Sequence, residues 1–232
     1  MARRIFALVR HAEYHQLTDA PSALQPFALT GTGIKQAKQS ALEMKAFLQK
    51  NKWALDANVH TSSLLRAWQT AKIFIELLQP AVEQQLSIKS VDDLVERSVG
   101  AVANLTIQQI EDLIEQDPRY EPLPYNWKSN SQFKLPFIGA ESLLEAGERV
   151  AKYIMQSAAD MQEDVDCVKL LVGHGAAFRH AAYVLNVIDL QQVADLSMHH
   201  AQPVYLEYLE DGSWQHIAGE WKLRSRYGAY RD

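Results

Sequence analysis

Apolar residues along this chain fall into two patterns, short near-continuous runs and longer stretches with helical spacing. Ile5-Phe6-Ala7-Leu8-Val9 and Val168-Lys169-Leu170-Leu171-Val172 are runs of the first kind. Their length and composition suit strands buried within a sheet. The predicted strands are Arg4–Val9, Asn58–Thr61, Leu86–Val91, Val168–Val172, Val204–Leu209 and Trp214–Ala218. Helical stripes lie between them: Ile34, Ala37, Ala41, Met44 and Leu48; Leu64, Trp68, Ala71, Ile75 and Leu78; and Leu143, Gly147, Val150, Ile154, Ala158 and Met161. Met and Trp within such stripes are read as core. Thr106 with Gln109, and Ser142 with Glu145, have capping-box spacing and predict helix starts. Asp211-Gly212 predicts a hairpin turn near the end of the chain. Strands alternating with helices predict an α/β fold, a three-layer sandwich whose mostly parallel central sheet carries helices on both faces.

One stretch breaks the alternation. Pro118 to Gly139 holds four prolines and five aromatic residues without a clean period. Such a segment is either a lid over a binding site or a packed excursion covering a sheet edge. No repeat, low-complexity tract or flexible linker interrupts the chain, so a single domain over residues 1–232, with a lid-like excursion at about 118–139, is the expectation.

The composition is that of an ordinary globular protein, 47% hydrophobic and 22% charged over 232 residues. A net charge of −5 offers no footprint for nucleic acid or acidic membranes, so an anionic substrate would need a local cluster of cations. Cys167 is the single cysteine, which rules out an intramolecular disulfide, and its apolar neighbours predict a buried, inert thiol. No segment approaches the roughly 18 apolar residues of a membrane span. Arg3-Arg4 before the first run resembles a signal-peptide start, but that run is too short for an h-region and ends in Arg10-His11-Ala12-Glu13. The expected location is cytoplasmic.

The candidate chemistry sits where the two long apolar runs end. The first leads into Arg10-His11 and the second into Gly173-His174-Gly175, so each strand delivers a histidine at its carboxyl end, where open α/β sheets bind ligands. Alone, Arg10-His11 reads as a surface pair in a loop. Thr61-Ser62-Ser63-Leu64-Leu65-Arg66 follows another strand and opens a helix, which joins free N–H groups and a guanidinium fork near one anion. Leu94-Val95-Glu96-Arg97 follows the next strand and supplies a carboxylate. Taken singly, Arg66 is a helix-surface charge and Glu96-Arg97 a solvated ion pair. The remaining histidines, His15, His60, His180, His199, His200 and His216, lack ligand spacing and are read as ordinary residues, so no metal site is expected.

Together these segments resemble the histidine phosphatase superfamily, in its cofactor-dependent phosphoglycerate mutase-like branch. Arg10-His11-Ala12-Glu13 stands at the Arg-His-Gly signature, and Leu29-Thr30 with Gly33, Gln36 and Ala37 is similar to the Leu-Thr-x-x-Gly-x-x-Gln-Ala helix start. Thr61-Ser62 through Arg66-Ala67 to Thr70 resembles the second phosphate-binding segment. Glu96-Arg97 with Gly100 resembles the acid segment, Glu141-Ser142-Leu143 with Arg149-Val150 a later helix start, and His174-Gly175 the second histidine. The resemblance implies a phosphoglycerate mutase-like fold, His11 as nucleophile, Arg10, Arg66 and His174 as phosphate-binding groups, and Glu96 as proton donor, with no metal or cofactor. It also implies a phosphorylated small molecule or phosphoprotein as substrate, and no nucleic-acid or membrane partner.

Several positions depart from the mutase pattern. Ala12 replaces a glycine, Leu17 stands where mutases carry an asparagine, and Val99 replaces a tyrosine. No lysine occupies Ala101 to Leu105, and Arg119 stands without a partner arginine. The expected reaction is therefore hydrolysis of a phosphate monoester through phosphohistidine. Mutase-type phosphoryl transfer and a non-catalytic scaffold on the same fold are the alternatives. The cationic, aromatic tail from Glu220 to Asp232 is a candidate lid over an anionic substrate, against the plain alternative of a frayed end.

Overall fold

The structure, a computed structural model, describes residues 2–161 and 164–224. In chain order its elements are β1 (Arg4–Arg10), α1 (Gly31–Asn51), β2 (Ala54–Leu55), β3 (Asn58–Ser62), α2 (Leu65–Leu78), β4 (Ser87–Val91), α3 (Ile107–Gln116), α4 (Leu143–Asp160), β5 (Cys167–Gly173), α5 (Gly175–Val184), α6 (Leu190–Asp195), β6 (Leu196–Met198), β7 (Pro203–Tyr208), β8 (Trp214–Ala218) and β9 (Trp221–Leu223). The main sheet runs β4-β3-β5-β1-β7-β8, with β2 also paired to β5. β1, β3, β4 and β5 pair in parallel, while β7 and β8 extend the sheet antiparallel. β6 and β9 form a separate two-stranded ribbon. The chain thus has the mostly parallel α/β sheet that the pattern predicts.

Alternation along β1 and β5 separates two cores. Ile5, Ala7 and Val9, with Val168, Leu170 and Val172, face Ala37, Met44, Ala71 and Phe74 of α1 and α2. Phe6, Leu8, Cys167 and Leu171 face Val150, Ile154, Phe178 and Ala181 of α4 and α5. Strands covered on both faces have no polar face to show, so β1 is an unbroken apolar run and β5 is interrupted only by Lys169, which is buried and paired to Asp56. Each fully buried Ile, Leu, Val or Phe contributes about 1.5–3 kcal/mol of transfer free energy.

Two stripe positions lie off the core. Ile34 and Trp68 are 40% and 36% exposed. The inward line of α1 starts at Gly33, whose missing side chain lets the helix press on the backbone of Glu13. The inward line of α2 includes Arg66 and Thr70, polar residues that an apolar stripe skips, so Trp68 rotates outward beneath the Lys72 ammonium. Both predicted capping boxes form, at Thr106 and Ser142, and Gly212, at φ 83°, turns the β7–β8 hairpin.

The stretch from Pro118 to Gly139 contains no helix or strand. It is nonetheless packed: Trp127 and Leu135 bury against Val99, Val102 and Ile110 in a third, small core. Tyr125 and Ile138 remain outside.

α4 and α5 cross at close range where Gly147 meets His180, and a Cβ at Gly147 would strike both the side chain and the backbone of His180. Gly147→Ala is expected to destabilise the protein by about 1–3 kcal/mol, even though alanine gains about 1 kcal/mol of helix propensity. Urea unfolding measures the difference, and an unchanged or higher midpoint would mean that the helices have room to part.

Candidate active site

β1 and β5 run in register to their ends, with Arg10 opposite Gly173, and the His11 N–H continues the ladder to the Gly173 carbonyl at 2.9 Å. His11 and His174 therefore leave the sheet side by side, their ring centroids 5.1 Å apart. Both are buried, at 3% and 0% exposure. His11 Nδ1 lies 2.8 Å from the Ala12 carbonyl oxygen. A carbonyl only accepts, so Nδ1 carries the proton and Nε2 keeps its lone pair. His174 is fixed the other way round: Nδ1 accepts from Arg66 Nη2 at 3.2 Å, and Nε2–H donates to Ser62 Oγ at 2.8 Å.

Two guanidiniums flank the imidazoles. Arg66, wholly buried, reaches in from the first turn of α2 and donates to the carbonyls of Ser22, Ala23 and Gln25. Its plane stacks on the Tyr14 ring at 4.6 Å, and Tyr14 meets His11 edge-on at 5.2 Å. The Arg66 Nε–H is buried without a hydrogen-bond partner among the described residues. Arg10 donates to the Met198 carbonyl at 3.1 Å and lies against Gly175, the first residue of α5, where a Cβ would come within 3.1 Å of Arg10 Cδ. Burial, reinforced by Arg66 and Arg10, holds both His11 and His174 well below the ordinary histidine pKa, so both rings are neutral.

Glu96, 8% exposed, sits across the mouth of α5. Its carboxylate accepts from the N–H groups of Ala177 at 3.2 Å, Ala176 at 3.4 Å and Arg97 at 2.9 Å. The helix start thus orients the acid and turns positive partial charge toward the cluster. Two guanidiniums, a helix N-terminus, a neutral imidazole with a free lone pair and a carboxylate form an arrangement suited to binding a compact anion and attacking it.

The structure brings together His11, His174, Arg10 and Arg66, with Glu96 at their edge. It also brings in residues that sequence reasoning passed over. His200, read as ordinary, lies with its ring 5.8 Å from His11, and Ser62 and Tyr14 hold His174 and Arg66. Ser62 stands inside the segment singled out for Arg66 and could have been found there; His200 had no signal. Arg119, by contrast, is an exposed residue paired to Asp117. His60 and His180 are buried structural residues, bonded to Tyr153 and Ser131. The tail is described only as far as Arg224, so the candidate lid residues 225–232 lie outside the described residues. Among the described residues no helix is long and apolar enough to cross a membrane.

A family model for the histidine phosphatase superfamily (branch 1) matches residues 6–218. No curated protein matches the sequence. Among solved structures, a phosphoglycerate mutase from Bacillus anthracis str. Sterne superposes with a TM-score of 0.71 at 17% identity, covering 94% of this chain and 93% of its own. A protein titled mycobacterial hydrolase 2 gives 0.70 at 19% identity, over 97% of this chain and 94% of its own. The mycobacterial glucosyl-3-phosphoglycerate phosphatase gives 0.67 at 20% identity, over 94% and 97%. At these identities the likeness is one of fold.

Neutral buried histidines make the fold sensitive to acid. His60 and His180 are both lowered to about 4, chiefly by burial, and His11 and His174 are lowered as well. Below about pH 6.5 the unfolded chain takes up protons that the folded chain refuses, so stability falls as pH drops toward 4. Each site contributes up to roughly 1.4 kcal/mol per pH unit. Thermal unfolding between pH 7 and 5 should show a falling Tm, with a shallower fall in a His60→Gln/His180→Gln variant. Equal slopes in the two proteins would assign the acid sensitivity to other groups.

Proposed function

Because the chain belongs to the histidine phosphatase superfamily, we propose that it is a phosphomonoesterase that works through a phosphohistidine intermediate. The observation that carries this reading is the His11 tautomer: Nδ1–H is committed to the Ala12 carbonyl, which leaves Nε2 as an unprotonated nucleophile between two buried guanidiniums. Nε2 attacks phosphorus and the ester P–O bond breaks. Arg10 and Arg66 hold the phosphoryl oxygens as charge builds on them, and His174 joins them when its Nε2–H exchanges Ser62 Oγ for a phosphoryl oxygen. Glu96, which enters the cycle as the carboxylic acid, gives its proton to the departing alkoxide. A water then attacks the phosphohistidine and passes a proton back to the Glu96 carboxylate, releasing inorganic phosphate and restoring His11. The cations of the cluster supply the electrostatic stabilisation, so the cycle calls for no metal or cofactor.

The substrate class is a phosphorylated small molecule or a phosphoprotein side chain. Hydrolysis is favoured over mutase transfer because the groups a mutase would use to hold phosphoglycerate are missing from the expected positions. Leu17 stands in place of an asparagine, and Arg119 is turned outward to Asp117.

His11 is expected to carry acid-labile phosphate during turnover. Rapid quenching with para-nitrophenyl phosphate in the presence of a chelator, followed by mass spectrometry, locates it. Full activity in His11→Ala, or phosphate on another residue only, would end this mechanism. Glu96→Gln should lower hydrolysis of an alkyl phosphate by about 10²–10⁴-fold, and that of para-nitrophenyl phosphate far less, since a phenolate leaves without a proton. Parallel kinetics on the two esters give the ratio. Equal losses on both would make Glu96 a structural residue.

A further inference from the structure

His174, the second imidazole of the cluster, has its one donor already engaged within the protein. Its Nδ1 faces Arg66 Nη2 at 3.2 Å, and a guanidinium can only donate, so the neutral ring carries its single proton on Nε2. That proton is given to Ser62 Oγ at 2.8 Å. The ring is therefore pinned at both nitrogens, by Arg66 from the first turn of α2 and by Ser62 from the last position of β3. Ser62, Arg66 and His174 are all wholly buried.

The two ends of the Ser62–His174 bond are not equally dependent on it. Ser62 Oγ accepts a second hydrogen bond, from the Leu64 N–H at 3.3 Å, just ahead of α2. If His174 turns its N–H elsewhere, Oγ keeps the Leu64 N–H and is not left bare. His174 has no such reserve. Without Ser62, its Nε2–H would be a buried donor with no acceptor among the described residues, and leaving such a donor unmade costs more than a neutral hydrogen bond gains. Ser62 thus supplies the acceptor that the imidazole requires inside the protein. A phosphoryl oxygen, being charged, is the stronger acceptor.

We propose that Ser62 is a positioning residue that competes with the phosphoryl group of the substrate, and afterwards with inorganic phosphate, for the Nε2–H of His174. The inference rests on the phosphatase reading above and deepens it: a hydrogen bond inside the protein sets how tightly phosphate is held and how readily it leaves. No covalent bond is made or broken in the exchange; one N–H changes its acceptor. Arg66 stays on Nδ1 throughout, which keeps the tautomer fixed while the Nε2–H passes from one oxygen to the other. The competition carries a sign that a purely structural role does not. Removing a support would loosen His174 and weaken phosphate binding. Removing a competitor leaves the Nε2–H unsatisfied until phosphate binds, and so tightens it.

Calorimetry with inorganic phosphate on the full chain tests this without relying on turnover. Ser62→Ala should bind phosphate about tenfold more tightly than the wild type, since the ligand then satisfies a buried donor that nothing else does. Ser62→Thr, which keeps the Oγ, should restore the wild-type affinity. In steady-state hydrolysis of an alkyl phosphate, the KM and the inhibition constant of product phosphate should fall together in Ser62→Ala. Weaker or unchanged phosphate binding in Ser62→Ala overturns the inference and leaves the phosphatase reading standing, as does an equal tightening in Ser62→Thr. Should Ser62→Ala fail to fold, Ser62→Cys, whose sulfur is a weak acceptor in the same place, is expected to show a smaller tightening, and no tightening there is equally fatal. A wild-type protein that binds no phosphate would overturn the phosphatase reading, and this inference with it.

Discussion

The parallel pairing of β1 with β5 is the constraint on which the rest of this molecule depends. Their register runs unbroken from Arg4 opposite Cys167 to Arg10 opposite Gly173, and the ladder carries on through the His11 N–H. Because both strands point the same way, both end on the same edge of the sheet, and the residues that follow them must be neighbours. A slip of one residue would exchange the two faces of β1, setting Phe6 and Leu8 among α1 and α2 and Ile5, Ala7 and Val9 among α4 and α5. The hydrophobic cores on either side therefore hold the two imidazoles 5.1 Å apart as firmly as any contact between the rings themselves.

On that frame the protein assembles an electrostatic arrangement that burial alone would oppose. Arg66 is wholly enclosed, and Arg10 nearly so. Carbonyls satisfy part of each charge, those of Ser22, Ala23 and Gln25 for Arg66 and that of Met198 for Arg10. Dipoles offset desolvation without cancelling charge, so the cluster stays positive. Burial, reinforced by the same field, keeps His11 and His174 neutral. A buried, cationic site with an unprotonated imidazole is the kind of preorganised setting that the proposed attack on a phosphate ester calls for.

The surrounding elements extend this preparation. α5 begins directly after His174, which acts as its N-cap residue, and its first N–H groups hold Glu96. The 118–139 excursion has a core of its own around Trp127, and that core carries Lys128 to the rim of a pocket that Glu96 also lines. Chain that is irregular in its backbone thus presents side chains from a packed base.

Much of the architecture was legible in the sequence because local rules decide it. Near-continuous apolar runs mark strands buried on both faces, capping boxes at Thr106 and Ser142 mark helix starts, and Asp211-Gly212 marks a hairpin. Strands of two or three residues, β2, β6 and β9, are too short to show a period. The inward faces of α1 and α2 were displaced by a residue, since glycine and buried polar side chains occupy positions that a search for apolar stripes passes over. By itself, the sequence determined the α/β class, the two strand-exit histidines, and Arg66 and Glu96 as charged groups at comparable strand ends. Only the tertiary structure decided that these charges are buried, that His11 and His174 are neutral with opposite tautomers, and that His200 stands beside His11. His200 gets there because Ala201, in the left-handed region at φ 62°, hydrogen-bonds to the Arg10 carbonyl and turns the chain back against β1. Desolvation and through-space charge depend on groups distant in sequence, and no local pattern encodes them.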